Sequence, residues 1–220
     1  MTYSDYRRVA RENLIGNYWK SVGVAFVAAI FGALVTSAGI NIEIREEWQP
    51  YLHESVKTVL LLAGSAAGTL NLVHLILGGT VQLGYTKYLL NQYNHASLDI
   101  KDLFSQFGRF KEGFLQLFLR NLFVALWSLL FIIPGIIKAL SYAMTPFIMA
   151  ENPDMTALEA INASKELMDG HKAELFMLEL TFLGWILLCA LTLGIGSFFL
   201  NPYLNAAHTA FYKNITSAEA

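Results

Sequence analysis

Apolar runs of about twenty residues constrain this chain more than any other feature. Three of them, at about 21–40, 58–83 and 175–193, are long enough to cross a bilayer unaided. A fourth, at about 114–133, carries Arg120 near its start but otherwise qualifies. An α-helix needs about twenty residues to cross a hydrocarbon core about 30 Å thick. The sequence therefore predicts four crossings from these runs alone.

The composition agrees with a membrane protein. The chain is 55% hydrophobic and 15% charged, with a mean hydropathy of +0.45, whereas about a quarter of the residues of an ordinary soluble domain are charged. The net charge of -2 provides no basic face for nucleic acid. The lipid bilayer is thus the expected partner, and nucleic acid is not.

A short motif recurs three times, each time ahead of an apolar run. Each copy begins at a serine or threonine, whose hydroxyl suits a helix N-cap, and ends at a glycine, which suits a helix end. In the second copy the apolar residues cluster on one side, as in a helix lying along a membrane surface. The copies run from Ser4 to Gly16, from Ser97 to Gly108 and from Thr156 to Gly170.

Two shorter stretches, 135–150 and 197–212, are predicted return helices that follow turn signals. The predicted fold is all-α: a polytopic membrane protein with about six transmembrane helices as three hairpins, each preceded by an amphipathic surface helix. Residues 1–220 would form one integral membrane domain, with possible repeat units 1–96, 97–155 and 156–220. Chance similarity is the alternative, because the copies share few identical residues.

Prolines and small residues mark the predicted turns and helix contacts. The turn signal of the second hairpin is Pro134-Gly135, and Pro146 should kink the helix that follows because proline lacks a backbone donor. Pro202 is a further candidate hinge or turn residue, in the third predicted hairpin. Gly64 and Gly68 are four residues apart, a spacing that lets another helix approach closely, within the protein or in a second protomer.

The distribution of basic residues predicts the orientation. They are concentrated before the first crossing and between the second and third, so both regions should be cytoplasmic. The loop at 41–57 is rich in glutamate and should face outward, and six crossings return the C-terminus to the cytoplasm. A cleaved signal peptide fits poorly, since its charged leader would be unusually long.

Polar residues at membrane depth are the candidate functional residues, because a charge in hydrocarbon is costly unless it is paired or hydrated. Arg120 and Glu179 lie one to two turns inside the predicted cytoplasmic boundary and could form an ion pair. Alternatively, Arg120 snorkels to the headgroups and Glu179 lies at a wet interface. Asn71, His74 and Asn201 could line a polar cavity or join helices.

The sequence predicts no catalytic, metal or cofactor site. It contains no HExxH, GxSxG or P-loop pattern, and its five histidines lack the spacing of metal ligands. The single cysteine, Cys189, lies in an apolar run and is predicted to pack there.

Three longer elements resemble a known family. They read RRVARENLIGNYWK near the N-terminus, IIPGIIKALSYAMTPFIMAENPDMTALEAINASKELMDGHK in the middle and LGWILLCALTLGIGSFFLNPY near the end. In this order they are similar to bacterial integral membrane proteins called domain of unknown function 975. The resemblance implies a multi-pass plasma-membrane protein, found mostly in Gram-positive bacteria, without an established activity.

Three classes of function remain open at this point. The first is a non-catalytic scaffold or accessory subunit of a membrane complex, with a membrane-protein partner or as a homo-oligomer. The second is a small transporter or lipid-handling protein with a polar intramembrane cavity. The third is a membrane enzyme, which Glu179 beside His74 or His208 in a polar pocket would favour.

Overall fold

The computed structural model describes residues 2–30, 76–192 and 194–219. These residues are helical or lie in turns and short connections, so the all-α prediction is confirmed for them. Gly64, Gly68, Asn71, His74 and the glutamate-rich loop at 41–57 lie outside the described residues.

The described residues form nine α-helices. Two short 3₁₀ helices, Ile100–Phe104 and Phe107–Arg109, precede the fourth of them. In chain order the α-helices are α1 Tyr3–Leu14, α2 Tyr18–Ile30, α3 at 76–93, α4 Phe110–Leu130, α5 Ile132–Ser141, α6 Thr145–Glu151, α7 Ala157–Leu167, α8 Lys172–Leu191 and α9 Ile195–Glu219.

Two of the three repeated motifs form α-helices with capped N-termini. The N-cap of α7 is Thr156, as predicted, and its amide donates a hydrogen bond of 2.8 Å to Glu159. The N-cap of α1 is Thr2 rather than Ser4, because the carboxylate of Asp5 accepts hydrogen bonds from Thr2. Both helices bury their apolar side against other helices of the protein.

The middle motif does not form a single α-helix. Its two 3₁₀ helices begin after Asp99, whose carboxylate accepts a hydrogen bond of 2.9 Å from the amide of Lys101, so the predicted cap at Ser97 is wrong. Leu103 is fully buried, and its carbonyl lies so close to Gly84 of α3 that a Cβ atom there would collide with it. This contact with α3 fixes the segment, while Ile100 remains exposed.

The chain reverses three residues earlier than the predicted turn. Phe131 is extended, with φ -159° and ψ 149°, and it separates α4 from α5. Pro134 and Gly135 lie in the first turn of α5, where the missing amide of a proline costs little. Gly135 is buried against Ser128 and leaves no room for a side chain, so its role is close helix packing rather than the turn.

The other two prolines occupy different settings. A three-residue break at 142–144 separates α5 from α6, and Pro146 lies in the first turn of α6 just after it. The helix that Pro146 was predicted to kink is thus interrupted before this proline, which lies where its missing amide costs little. Pro202 lies inside α9, which continues on both sides of it, so it marks no turn between helices.

Several helices pack against α9. This helix contacts α1, α2 and α8, and a core of buried side chains runs from α1 through α5, α6 and α8 to α9. Tyr6, Phe182 and Phe211 are among its fully buried members. A second cluster joins α2, α3 and Leu103. The helices α3 and α4 approach closely at Gly79 and Gly113, where a Cβ atom on either glycine would collide with the opposite helix.

Among the described residues, three stretches are long and apolar enough to cross a membrane by length and composition. They are Ile100–Leu130, Ile132–Glu151 and Lys172–Leu191, and α2 is a shorter apolar helix. The predicted sixth crossing at 197–212 lies in α9, which does not belong to this set. Large apolar side chains cover the outside of the turn between α4 and α5 and the second half of α8.

We expect Gly79→Ala to destabilise the protein by about 1–3 kcal/mol, because the added methyl group meets the backbone of Gly113. Gly184→Ala is the matched control, since this glycine of α8 is exposed and nothing lies near the position of its Cβ atom. Thermal unfolding in detergent measures both. Equal stability of the two variants would contradict the close approach of α3 and α4.

Candidate functional site

Arg120 lies among polar side chains of two helices. Its Nη2 atom is 3.4 Å from Oε1 of Gln82 on α3, and the same oxygen accepts a hydrogen bond of 3.3 Å from Nε2 of Gln116. Gln116 is fully buried. Among the described residues, the guanidinium group thus contacts the amide oxygen of Gln82 rather than a carboxylate.

Glu179 lies beside a different residue. Its Oε1 atom is 3.9 Å from Nε2 of His208 on α9, which is too long for a hydrogen bond. Among the described residues, Arg120 and Glu179 form no ion pair. The Nε2 atom of His208 is buried and has no hydrogen-bond partner there.

Asn201 is the remaining predicted site residue that the structure describes. Its carbonyl accepts a hydrogen bond of 2.8 Å from the side chain of Asn205, one turn further along α9. The described candidates therefore occupy separate places: Arg120 between α3 and α4, Glu179 between α8 and α9, and Asn201 within α9. They do not gather into one polar cavity.

A polar junction that the sequence analysis missed joins the two ends of the chain. The hydroxyl of Tyr6 on α1 donates a hydrogen bond of 2.6 Å to Oε1 of Glu174 on α8 and accepts one of 2.8 Å from Asn214 on α9. His171 lies 3.3 Å from the other carboxylate oxygen. Burial and the neighbouring carboxylate raise the pKa of Tyr6. The junction fixes α1 to α8 and α9.

Only part of this junction leaves a signal in the sequence. Tyr6, Ala10 and Leu14 recur at helical spacing and form the buried stripe of α1, which identifies Tyr6 as an inward residue. Its partner Glu174 lies 168 positions away. No local pattern connects residues so distant, so the contact is visible only in the fold.

Arg7, the next residue, is fixed by aromatic side chains. Its Nε atom donates a hydrogen bond of 3.2 Å to the hydroxyl of Tyr203, and its Cζ atom lies 5.4 Å from the centre of the Phe182 ring. The rings of Phe182 and Tyr203 are themselves 5.2 Å apart in an edge-to-face arrangement. Stacking of this kind orients a guanidinium group.

A groove opens next to Arg7, between α1, α8 and α9. Its volume is about 760 Å³, within the range of about 300–1,000 Å³ typical of small-molecule sites. Arg7 and Arg11 line it on the α1 side. The α8 and α9 sides are mostly apolar and include Trp185, Leu188, Cys189, Phe199 and Leu200.

The C-terminal part of the chain is similar in sequence to a known family. Residues 129–219 match the model of a family described as protein of unknown function (DUF975). The resemblance noted from the sequence is confirmed over this DUF975 region, which covers less than half of the chain and includes α5 to α9. The N-terminal element at 7–20 lies outside it.

Other comparisons add no relative. Neither the comparison with curated proteins nor that with solved structures gave a significant match. The groove combines helices from both parts of the chain, because α8 and α9 belong to the DUF975 region and α1 does not.

We expect Tyr6→Phe to lower the free energy of unfolding by about 1–3 kcal/mol, because Glu174 and Asn214 each lose a hydrogen-bond partner at a buried position. The exposed Tyr3 on the same helix provides the control variant Tyr3→Phe. Denaturant unfolding in detergent compares them. A Tyr6→Phe protein as stable as the control would show that the junction does not fix α1.

Proposed function

We propose that this protein is a multi-pass protein of the bacterial plasma membrane that acts without catalysis, as a scaffold or accessory subunit of a membrane complex. The observation that carries the membrane part is the apolar exterior. Leu129 and Ile132, on either side of the Phe131 turn, are 81% and 76% exposed, and Leu187 on α8 is 60% exposed. Side chains of this kind on adjoining helices favour contact with lipid over contact with water.

The non-catalytic part is supported by how the buried polar side chains are used. Several of them join one helix to another, as Ser164 does by donating a hydrogen bond of 2.9 Å to the carbonyl of Ser141. Gln92 likewise donates a hydrogen bond of 3.0 Å to Ser21. Polar groups committed to helix contacts stabilise the bundle.

The topology that we propose has six crossings in three hairpins, with both termini in the cytoplasm. The sharp reversal at Phe131 supports the second hairpin, since α4 and α5 pack against each other on either side of it. The pairing of α8 with α9 supports the third in the same way. Both turns lack charged residues, so either could lie inside the bilayer or emerge on its outer side. Two crossings are complete only where the turn emerges, so the location of each turn relative to the membrane decides the number of crossings.

Cysteine labelling of intact cells measures that position. In a Cys189→Ala background, we expect Leu191→Cys, at the exposed end of α8, to react with a membrane-impermeant maleimide added outside the cell. The matched control is Glu166→Cys, exposed on α7, which should react only after permeabilisation. A Leu191→Cys side chain that stays unlabelled from outside would remove the last two crossings.

The accessory role predicts a stable partner. We expect affinity purification of the tagged protein from its native membrane in mild detergent to recover another membrane protein in a constant ratio, as determined by mass spectrometry. Membranes in which an unrelated protein carries the tag are the control. A protein that purifies alone or only with lipid would contradict the accessory role.

One observation favours a second candidate function, that of a small transporter or lipid-handling protein. The groove between α1, α8 and α9 has two arginines on one side and apolar walls on the other. A cavity of that chemistry suits an amphipathic molecule.

A further inference from the structure

The charges of the groove lie on one helix face. Arg7 and Arg11 are four residues apart on α1, so they project from the same side of the helix. The walls opposite them carry large apolar side chains, among them Trp185, Leu188 and Leu200. The groove therefore combines a cationic side with an apolar channel.

The cationic side is not neutralised by neighbouring carboxylates. The side chain of Arg11 forms no ion pair or hydrogen bond with another described residue. Arg7 donates a hydrogen bond from its Nε atom to a neutral phenol. The carboxylates of α1 face Arg8 instead, with Asp5 at 3.2 Å and Glu12 at 4.0 Å. No acidic residue lines the groove among the described residues. The two arginines thus leave an excess of positive charge that an anion can satisfy.

Tyrosine side chains border the same region. The hydroxyl of Tyr18 donates a hydrogen bond of 3.1 Å to the carbonyl of Phe199, and the hydroxyl of Tyr203 bonds to Arg7. Tyrosine and tryptophan are enriched where a membrane protein meets the headgroup layer. The arginines therefore lie beside residues that suit this layer, and the apolar walls extend from there towards the turn after α8.

We propose that the groove binds one anionic phospholipid, with its phosphate at Arg7 and Arg11 and an acyl chain along Trp185, Leu188 and Leu200. Arginine pairs well with phosphate through charge-assisted hydrogen bonds. A free phosphate would leave the apolar walls without a partner, whereas a lipid occupies both parts. This proposal rests on the membrane embedding proposed above and is independent of the accessory role.

Native mass spectrometry of the full chain in detergent tests the site. Phosphatidylglycerol is the anionic probe, and phosphatidylcholine with the same acyl chains is the zwitterionic comparison. Near a membrane surface, one arginine contributes about 1 kcal/mol to the attraction of anionic lipid, which corresponds to about fivefold in affinity. We expect Arg11→Gln to weaken phosphatidylglycerol binding by about fivefold and phosphatidylcholine binding by less, because the choline group offsets the charge of the phosphate.

Arg8→Gln is the matched control. It removes the same charge from the same helix, but Arg8 faces Asp5 and Glu12 and does not line the groove. We expect this variant to bind phosphatidylglycerol as the wild type does. An equal loss in both variants would overturn the proposal in favour of general surface attraction, and no loss in Arg11→Gln would overturn it outright.

The apolar part has its own pair of variants. Leu188 lines the groove, whereas its neighbour Leu187 does not, and both are exposed. We expect Leu188→Ser to weaken phosphatidylglycerol binding and Leu187→Ser to leave it unchanged, with thermal unfolding confirming that both variants fold. Displacement of the lipid by an equal concentration of glycerol phosphate would show a phosphate site without an acyl-chain channel and would overturn the proposal.

A separate measurement distinguishes this proposal from membrane embedding. Alkaline carbonate extracts peripheral proteins from membranes and leaves embedded ones behind. Extraction of the wild type together with Arg11-dependent lipid binding would contradict the embedding and leave the groove assignment standing. Retention in the membrane without Arg11-dependent binding would do the reverse.

Discussion

The packing of α1 along α8 and α9 is the interaction on which the rest of the structure depends. It joins residues at opposite ends of the chain, with Tyr6 between Glu174 and Asn214. Closing a chain of such length costs entropy that a few hydrogen bonds do not offset. The apolar stripe of α1 adds the burial of Ala10 and Leu14, and the hydrogen bonds then fix the register of that stripe.

The same packing buries residues in one half of α8 and leaves the other half exposed. Buried residues of α8 such as Leu175 and Leu178 lie in its first half, whereas Leu187 and Leu191 in its second half are exposed. In water, exposure of so many apolar side chains would be unfavourable, whereas in a bilayer it costs nothing. The first half of α8 thus supplies contacts within the protein, and its second half presents apolar side chains on the outside.

Local features of the fold could be predicted from the sequence, and long-range ones could not. The Thr156 cap and the glycine after it follow from interactions within a few residues, and Gly170 has a positive φ of 83° as a helix-ending glycine should. The turn at Phe131 was misplaced because Pro134 suits either a turn or the first turn of a helix. In this case, the close contact of Gly135 with Ser128 decides between them.

The candidate functional residues show the same limit of prediction from sequence. Arg120 and Glu179 are visible in the sequence as charges in apolar runs. The residues beside them, Gln82 and His208, depend on which helices become neighbours. No local sequence pattern could have predicted the groove, since its arginines and its apolar walls are separated by more than 170 residues.

The position of Arg7 and Arg11 bears on what the DUF975 region can do. This region supplies the apolar walls of the groove, and α1, outside the region, supplies the charge. The register of α1, set by Tyr6, determines where these arginines lie along α8 and α9. A shift of one helical turn would move them by about 5.4 Å, enough to separate the guanidinium groups from Tyr203 and Phe182. The chemistry of the groove is therefore a property of the packed chain, and neither part has it alone.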